Sequence, residues 1–404
     1  MFRQAGTHMT LTASTSDAAL SLLEGSDTDR ALRATVGGIA RSFGPDYFQE
    51  QVDTGGNAQE LWDALGGHGF LGVHLPEEYG GGGQGLRELA IVTEETAMAG
   101  VPALSILFSA GVIGTVLDRS ANRQQKERWL PSIASGATRM SFAITEPDAG
   151  SNAHRISTVA TRDGDRYLLN GQKYYITGME SADMVMVVAR TGGDPGSGRG
   201  KLSVFMVDAD APGLTRTQIR TVMNQPEKSW HLYFDNVEVP VTNLVGEEGQ
   251  GLRVAFTGLN AERVLTSSIC TGIGRYALAK AVRYANERSV WGVPIGSHQG
   301  VAHPLAAAHI HLQAAVHETE RACLRYDAGA EVGELANIAK YLGASAGLEA
   351  LDAAIGVHGG NGVSMEYQLA NYFFIVRMLN MGPVSKEMIL NFVAEHSLGL
   401  PRSY

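Results

Sequence analysis

Cysteine is almost missing from this chain of 404 residues: Cys270 and Cys323 are the only two, and they stand far apart. A disulfide framework is therefore not expected, and a reducing compartment, the cytoplasm, fits. Basic runs are missing too. The net charge is −10, which argues against nucleic acid or an anionic membrane as the main partner. No apolar run reaches the ~18 residues of a membrane span, and there is no sustained heptad or short internal repeat. No group of Cys, His, Asp and Glu has metal-ligand spacing, so no metal is expected. The N-terminal stretch MFRQAGTHMTLTASTSDAAL lacks the apolar core of a signal peptide, and Arg3 is its only strong base, so a disordered tail is expected there rather than a presequence.

What is present is an ordinary soluble mix, 44% hydrophobic and 18% charged, in a chain long enough for two or three domains. Three territories follow one another. Residues 15–138 read as helical: NAQELWDALGGHGF spaces Leu61, Trp62, Leu65 and Phe70 as one helix face, LPEEYGGGG interrupts, and LRELAIVTEETAMAG resumes. Residues 139–245 change to a period of two. Asp163-Gly164 and Asn170-Gly171 are hairpin turn signals, and MVMVVART, KLSVFMVD and WHLYFDNVEVP are strand-like. GGDPGSGRG reads as a surface loop. This block predicts an antiparallel β domain, a small barrel or sandwich. Residues 246–404 are helical again, with Leu265, Ile269, Ile273 and Ala277 recurring every fourth position and Arg288 closing that stretch. The fold class expected is α+β.

Within the last territory GLNAERVLTSS poses a question. Glu262 and Arg263 sit side by side in a segment otherwise fit for a core, where charges are excluded unless paired or functional. Elsewhere, FAITEPDAGSN joins the first two territories and offers amides and hydroxyls to the edge of a flat polar ring, with YYITG as a second such edge. RSVWGVPIGSHQ carries a base, an aromatic and a glutamine. VHGGNG has paired glycines that let backbone approach a phosphate, with His358 beside them as a hydrogen-bonded packing residue.

Taken in order, LPEEYGG, QQKERWLPSIASG, FAITEPDAGSN, GQKYYITG, VEVPVTNLVGEEGQGL, RSVWGVPIGSHQ and VHGGNGVSMEY make the chain resemble the acyl-CoA dehydrogenase family over roughly residues 30 to 395. The resemblance implies a helical N-terminal domain, a central β domain and a C-terminal four-helix bundle. It implies non-covalent FAD, an acyl-CoA substrate, electron-transfer flavoprotein as acceptor, and a homotetramer or homodimer. By motif, Phe142, Ile144, Thr145 and Ser151 would line flavin and thioester, and Tyr175, Ile176 and Thr177 would hold the other side of the ring. Arg288, Trp291, Gln299, Gly359 and Gly360 would reach the FAD of a neighbouring subunit, as would position 356. The implied reaction removes the α proton to a carboxylate and a hydride from the β carbon to flavin N5.

The chain departs from the family where the usual base stands. Counting from GGNG, Gly382, Pro383, Val384 and Ser385 occupy the Tyr-Glu-Gly-Thr positions, so Pro383 replaces the glutamate, and Glu387 matches a different position. Members of the isovaleryl-CoA type carry the base before an arginine on a bundle helix, and Glu262 matches that place. Asn260 and Arg263 then match positions that meet CoA. Proline has no N–H, so one donor to the thioester oxygen is missing unless Gly382, Val384 or a water supplies it. Asn152, Gly356 and the pair Phe374 and Ile375 replace the usual Asp, Gln and Arg-Asp near cofactor or interface. Alternative expectations are therefore a non-catalytic subunit of a hetero-oligomer, an oxidase, or a dehydrogenase of carrier-protein-bound acyl groups.

Overall fold

The computed structural model of the chain describes residues 26–193 and 200–402. The expected N-terminal tail and most of the GGDPGSGRG loop fall outside those residues. Helix α1 (Asp27–Thr54) starts at a capping box in which Ser26 and Asp29 satisfy each other's backbone N–H, and it kinks at Gly44, whose φ is 71°, just before Pro45. Helix α2 (Gln59–Gly67) buries Leu61, Trp62 and Leu65. Phe70 was expected on that face, but Gly69, with φ 76°, ends the helical path and puts Phe70 in a separate turn. Helix α3 (Leu86–Met98) follows, then a π-helical stretch (Ile106–Gly114) that runs into α4 (Thr115–Ser120), then α5 (Arg123–Ser135).

The β territory forms one eight-stranded sheet: β1 (Met140–Ala143), β2 (Val159–Asp163), β3 (Arg166–Thr177), β4 (Met184–Gly192), β5 (Lys201–Asp208), β6 (Leu214–Ile219), β7 (Ser229–Pro240) and β8 (Leu244–Val245). Its order is β6-β7-β3-β2-β4-β5-β8, with β1 also on β4. Most pairings are antiparallel as expected, but β4 takes both β1 and the start of β2 in parallel. The link from β1 to β2 carries most of the FAITEPDAGSN segment. Asp163-Gly164 makes the expected hairpin turn between β2 and β3. Asn170-Gly171 does not: it lies inside β3 at a bulge, where Gly171 has φ 141° and a Cβ would fall 2.7 Å from Thr158 Cα. A glycine in a strand interior marks a bulge or close approach as readily as a turn.

The remainder is the helical bundle: α6 (Gly251–Glu287), α7 (Gln299–Asp327), α8 (Gly333–His358), α9 (Ala370–Met381) and α10 (Lys386–Phe392). Leu265, Ile269, Ile273 and Ala277 are all buried, as their spacing predicts, and Arg288 caps α6. One apolar cluster joins α3 to α6, α7, α8 and α9, so the first and last helical territories share a core. Helices α6 and α8 lie very close, since a Cβ on Gly347 would meet Cys270 O at 2.6 Å. Charges are buried between α1, α3 and α6 only as a set: Arg33 lies 2.6 Å from Glu94 and 2.7 Å from Glu95, and Arg275 lies 3.3 Å and 3.5 Å from the same two. Among the described residues no helix is long and apolar enough to cross a membrane, and none form a group of three or more His, Cys, Asp or Glu able to hold a metal.

Candidate functional site

Two of the sequence motifs are stitched together by a buried ion pair. Lys173 Nζ lies 2.8 Å from Glu146 Oε1, and both side chains are almost fully enclosed. Lys173 also donates to Ile144 O at 3.0 Å. The other Glu146 oxygen accepts from Ser157 N and Oγ at 2.7 Å each, and Thr158 N donates to Oε1 at 2.9 Å. Burial alone would raise the Glu146 carboxyl; Lys173 and these donors outweigh it and hold it at about 2. Tyr174 N donates to Thr145 O at 2.8 Å. FAITEPDAGSN and GQKYYITG thus form one rigid edge.

That edge presents the expected residues. The β3–β7 register slips between Lys173 and Ile176, and Tyr175 there has φ 59°. The bulge turns its ring outward, 58% exposed. Thr145, Thr177 and Ile144 are half-buried, Phe142 and Ile176 are buried beneath them, and Ser151 is exposed on the connecting loop. An exposed aromatic in a strained backbone position, flanked by half-buried hydroxyls, suits the edge and face of a flavin ring.

Glu262 lies in the first half of α6 and is 5% exposed. Among the described residues its Oε2 is buried without a hydrogen-bond partner. Burial pushes it up to about 8, and the charges of Arg263 and Lys340 counter only part of that. An ion pair within the bundle therefore does not account for the burial of Glu262. Arg263 points elsewhere: its guanidinium donates to Leu259 O at 3.1 Å and to the side chains of Asn260 and Asn337. Burial lowers it to about 10. Asn260 is half-buried.

Opposite Glu262 stands a residue that sequence reasoning missed. Lys340 of α8 is 1% exposed. Its ammonium donates to Asn380 O at 2.6 Å and Val384 O at 2.7 Å, clasping the turn that holds Pro383. Burial lowers Lys340 to about 8, with Cys270, Glu262 and Glu387 opposing. In that turn the Gly382–Pro383 bond is cis, and Gly382 N–H donates to Met378 O at 2.9 Å. Gly382 is thus removed as a donor to a ligand, whereas Val384 N–H makes no backbone hydrogen bond among the described residues. Glu387, the other nearby acid, is exposed on α10.

The remaining expected residues gather at the opposite end of the bundle. Trp291, with φ 52°, and Gly292 form the tip of a hairpin between β9 (Ser289–Val290) and β10 (Val293–Pro294), and the Trp291 ring is 89% exposed. Arg288, Gln299, Gly356, Gly359 and Gly360 are exposed beside it. His358 is a packing residue as expected, bonded to Ala354 O at 2.8 Å and stacked on Tyr284 at 4.2 Å. Since Glu262 and Arg288 share α6, they are separated by about 39 Å at ~1.5 Å per residue. The two groups cannot both touch one flavin ring.

Comparison with known proteins agrees with the order of the three territories along the chain. Family models for the N-terminal, middle and C-terminal domains of acyl-CoA dehydrogenase match residues 26–137, 141–237 and 249–398. Acyl-CoA dehydrogenase FadE12 of Mycobacterium tuberculosis is 44% identical over 94% of this chain and 98% of its own length. The glutaryl-CoA dehydrogenase of Desulfococcus multivorans is 33% identical over 78% of this chain and 82% of its own. Among solved structures, butyryl-CoA dehydrogenase from Megasphaera elsdenii superposes with a TM-score of 0.86 at 26% identity, covering 91% of this chain and 97% of that one. With all three domains matched in their order along the sequence, the chain belongs to the acyl-CoA dehydrogenase family of flavoprotein oxidoreductases.

Proposed function

We propose that the protein is an FAD-dependent dehydrogenase of acyl-CoA thioesters in which Glu262 is the base. The observation that carries this reading is the buried Glu262 carboxylate, whose Oε2 has no hydrogen-bond partner among the described residues and whose proton affinity burial raises. A carboxyl poised near neutrality is matched to removing a weakly acidic α proton. Phe142, Ile144, Thr145, Ser151, Tyr175, Ile176 and Thr177 hold the flavin, and FAD, when bound, supplies the two-electron acceptor. Glu262 takes the α proton onto a carboxylate oxygen. Val384 N–H polarises the thioester oxygen in place of the donor that Pro383 lacks, and Lys340 keeps that N–H in position through Asn380 O and Val384 O. Asn260, with Arg263 behind it, meets the CoA arm. Anaerobic titration of the yellow holoprotein with short, long, branched and ring-bearing acyl-CoAs tests the reading: at least one should bleach the flavin, and bleaching by none rejects it.

Lys340 gives a separate expectation. Its positive charge favours ionised Glu262, so Lys340→Met should raise the Glu262 pKa and move the acid limb of the kcat/KM profile to higher pH by about one unit. Lys340→Arg should restore the limb. A limb that stays in place in Lys340→Met would show that the lysine only holds the turn.

The bundle end bearing Arg288, Trp291, Gln299, Gly356, Gly359 and Gly360 serves the FAD of a second subunit, which makes assembly and cofactor retention one equilibrium. A homotetramer or homodimer in the cytoplasm, passing electrons to an electron-transfer flavoprotein, fits this arrangement. The glycine at 356 and the apolar Phe374, 46% exposed, also suit a hetero-oligomer; flavin-free purification followed by FAD uptake only with a partner chain would favour that form.

A further inference from the structure

Helix α6 buries a second polar atom without a partner, one turn beyond Glu262. Thr266 is fully enclosed, and its Oγ1 has no hydrogen-bond partner among the described residues. The other Ser and Thr hydroxyls of α6 each find one. Thr257 donates to Val254 O at 2.7 Å, Ser268 to Val264 O at 3.4 Å and Thr271 to Ser268 O at 3.1 Å, all back into the helix. Ser267 donates across to Ala339 O of α8 at 2.8 Å. A helical threonine commonly satisfies its hydroxyl on a carbonyl of the preceding turn. Thr266 does not, so its Oγ1 is turned away from its own backbone. A buried hydroxyl left unsatisfied is costly unless something fills the place beside it.

Four residues advance α6 by ~6 Å and rotate it by only ~40°, so Thr266 and Glu262 share a face. Neighbouring positions bound that face on two sides. The π-helical stretch packs at Gly258 and Leu265: a Cβ on Gly258 would meet Val112 O at 2.7 Å, and one on Gly111 would meet Leu265 Cδ1 at 2.4 Å. Helix α8 packs at Ser267 and Cys270: a Cβ on Gly343 would fall 2.8 Å from Ser267 Cα, and one on Gly347 2.6 Å from Cys270 O. Glu262 and Thr266 point between these two contacts, and Lys340, which clasps the turn bearing Val384, comes from the α8 side. Further along the same face come Ile269 and Ile273, both in the apolar core. Thr266 is thus a single hydrogen-bonding group on an otherwise apolar wall beyond the base. The CoA arm is assigned to Asn260, toward the start of α6, so the acyl chain runs from Glu262 toward the later turns.

We propose that Thr266 determines specificity by binding an oxygen function, a carbonyl or a hydroxyl, on the acyl chain beyond its β carbon. The inference rests on the acyl-CoA dehydrogenase reading with Glu262 as base and adds a substrate class to it. A carboxylate is not the group selected, because Glu262 one turn away disfavours a second negative charge. A plain hydrocarbon chain seals the hydroxyl away without a partner and is discriminated against for that reason.

The test compares kcat/KM of the holoenzyme for hexanoyl-CoA with that for hexanoyl-CoAs bearing a keto oxygen on the fourth or fifth carbon or a hydroxyl on the sixth. At least one oxygenated thioester should be preferred over the plain one by about 10-fold or more. Thr266→Val keeps the shape and removes the hydroxyl, and it should cancel that preference, whereas Thr266→Ser should retain it. A loss of packing alone would lower both substrates together and leave their ratio in place. No preference for any oxygenated thioester in the native enzyme, or a ratio unchanged in Thr266→Val, overturns the inference while leaving the dehydrogenase reading intact. If Thr266→Val does not fold, the ratio in the native enzyme decides alone. Bleaching by none of these thioesters, nor by any other acyl-CoA, removes the dehydrogenase reading and this inference with it.

Discussion

Glu262→Gln should bind acyl-CoA and keep its FAD yet lose dehydrogenation by roughly 10²- to 10⁴-fold, the usual contribution of a positioned general base. The substitution keeps the shape and removes only the proton-accepting oxygen. Because the native carboxylate is buried with Oε2 unpartnered, no structural bond is broken, and the variant should be at least as stable as the parent at pH 8. The sign follows from linkage: the folded-state pKa lies near 8, above the ordinary glutamate value of 4.5. The native form therefore binds more protons than the unfolded one in that interval, and the native glutamate loses stability as pH rises through it. Stopped-flow bleaching and a pH series of thermal melts measure the two effects independently. Full bleaching in Glu262→Gln would assign the base elsewhere.

Lys173→Met should have the largest effect on the fold. It leaves Glu146 charged and enclosed, and breaking one partner of a buried pair costs about 3–5 kcal/mol. The damage falls on the joint between the two flavin-facing motifs, because Lys173 also holds Ile144 O. The variant should purify with little FAD and melt well below the parent. The loss should be greatest at neutral pH. In the native protein the Glu146 contribution is complete above 4.5 and disappears as pH falls toward about 2. Retention of both FAD and melting temperature in Lys173→Met would mean that the two motifs are held by backbone pairing alone.

The sequence carried the architecture where its signal was local. The period of two in 139–245, the four-residue recurrence in α6 and the Asp163-Gly164 turn all report on neighbours along the chain. Asn170-Gly171 misled because a turn dipeptide and a bulge use the same left-handed freedom, and only Thr158 packed across the strand distinguishes them. Glu262 was legible because a lone acid in an apolar helix is an anomaly wherever its partner lies. Lys340 was not, because a lysine on an amphipathic helix looks solvated. Its burial depends on a turn more than forty residues later, whose carbonyls point at it. Glu146 and Lys173 were hidden for the same reason: each sits in a motif read for its hydroxyls and aromatics, and the pair exists only once β3 runs beside the loop.

The most direct test is proton exchange at the α carbon. The holoenzyme is incubated anaerobically in D₂O with an acyl-CoA that it binds, and deuterium at C2 is read by mass spectrometry. Rapid incorporation in the native enzyme, and none above background in Glu262→Gln at equal thioester occupancy, is the predicted result. Incorporation at the native rate in Glu262→Gln would contradict it.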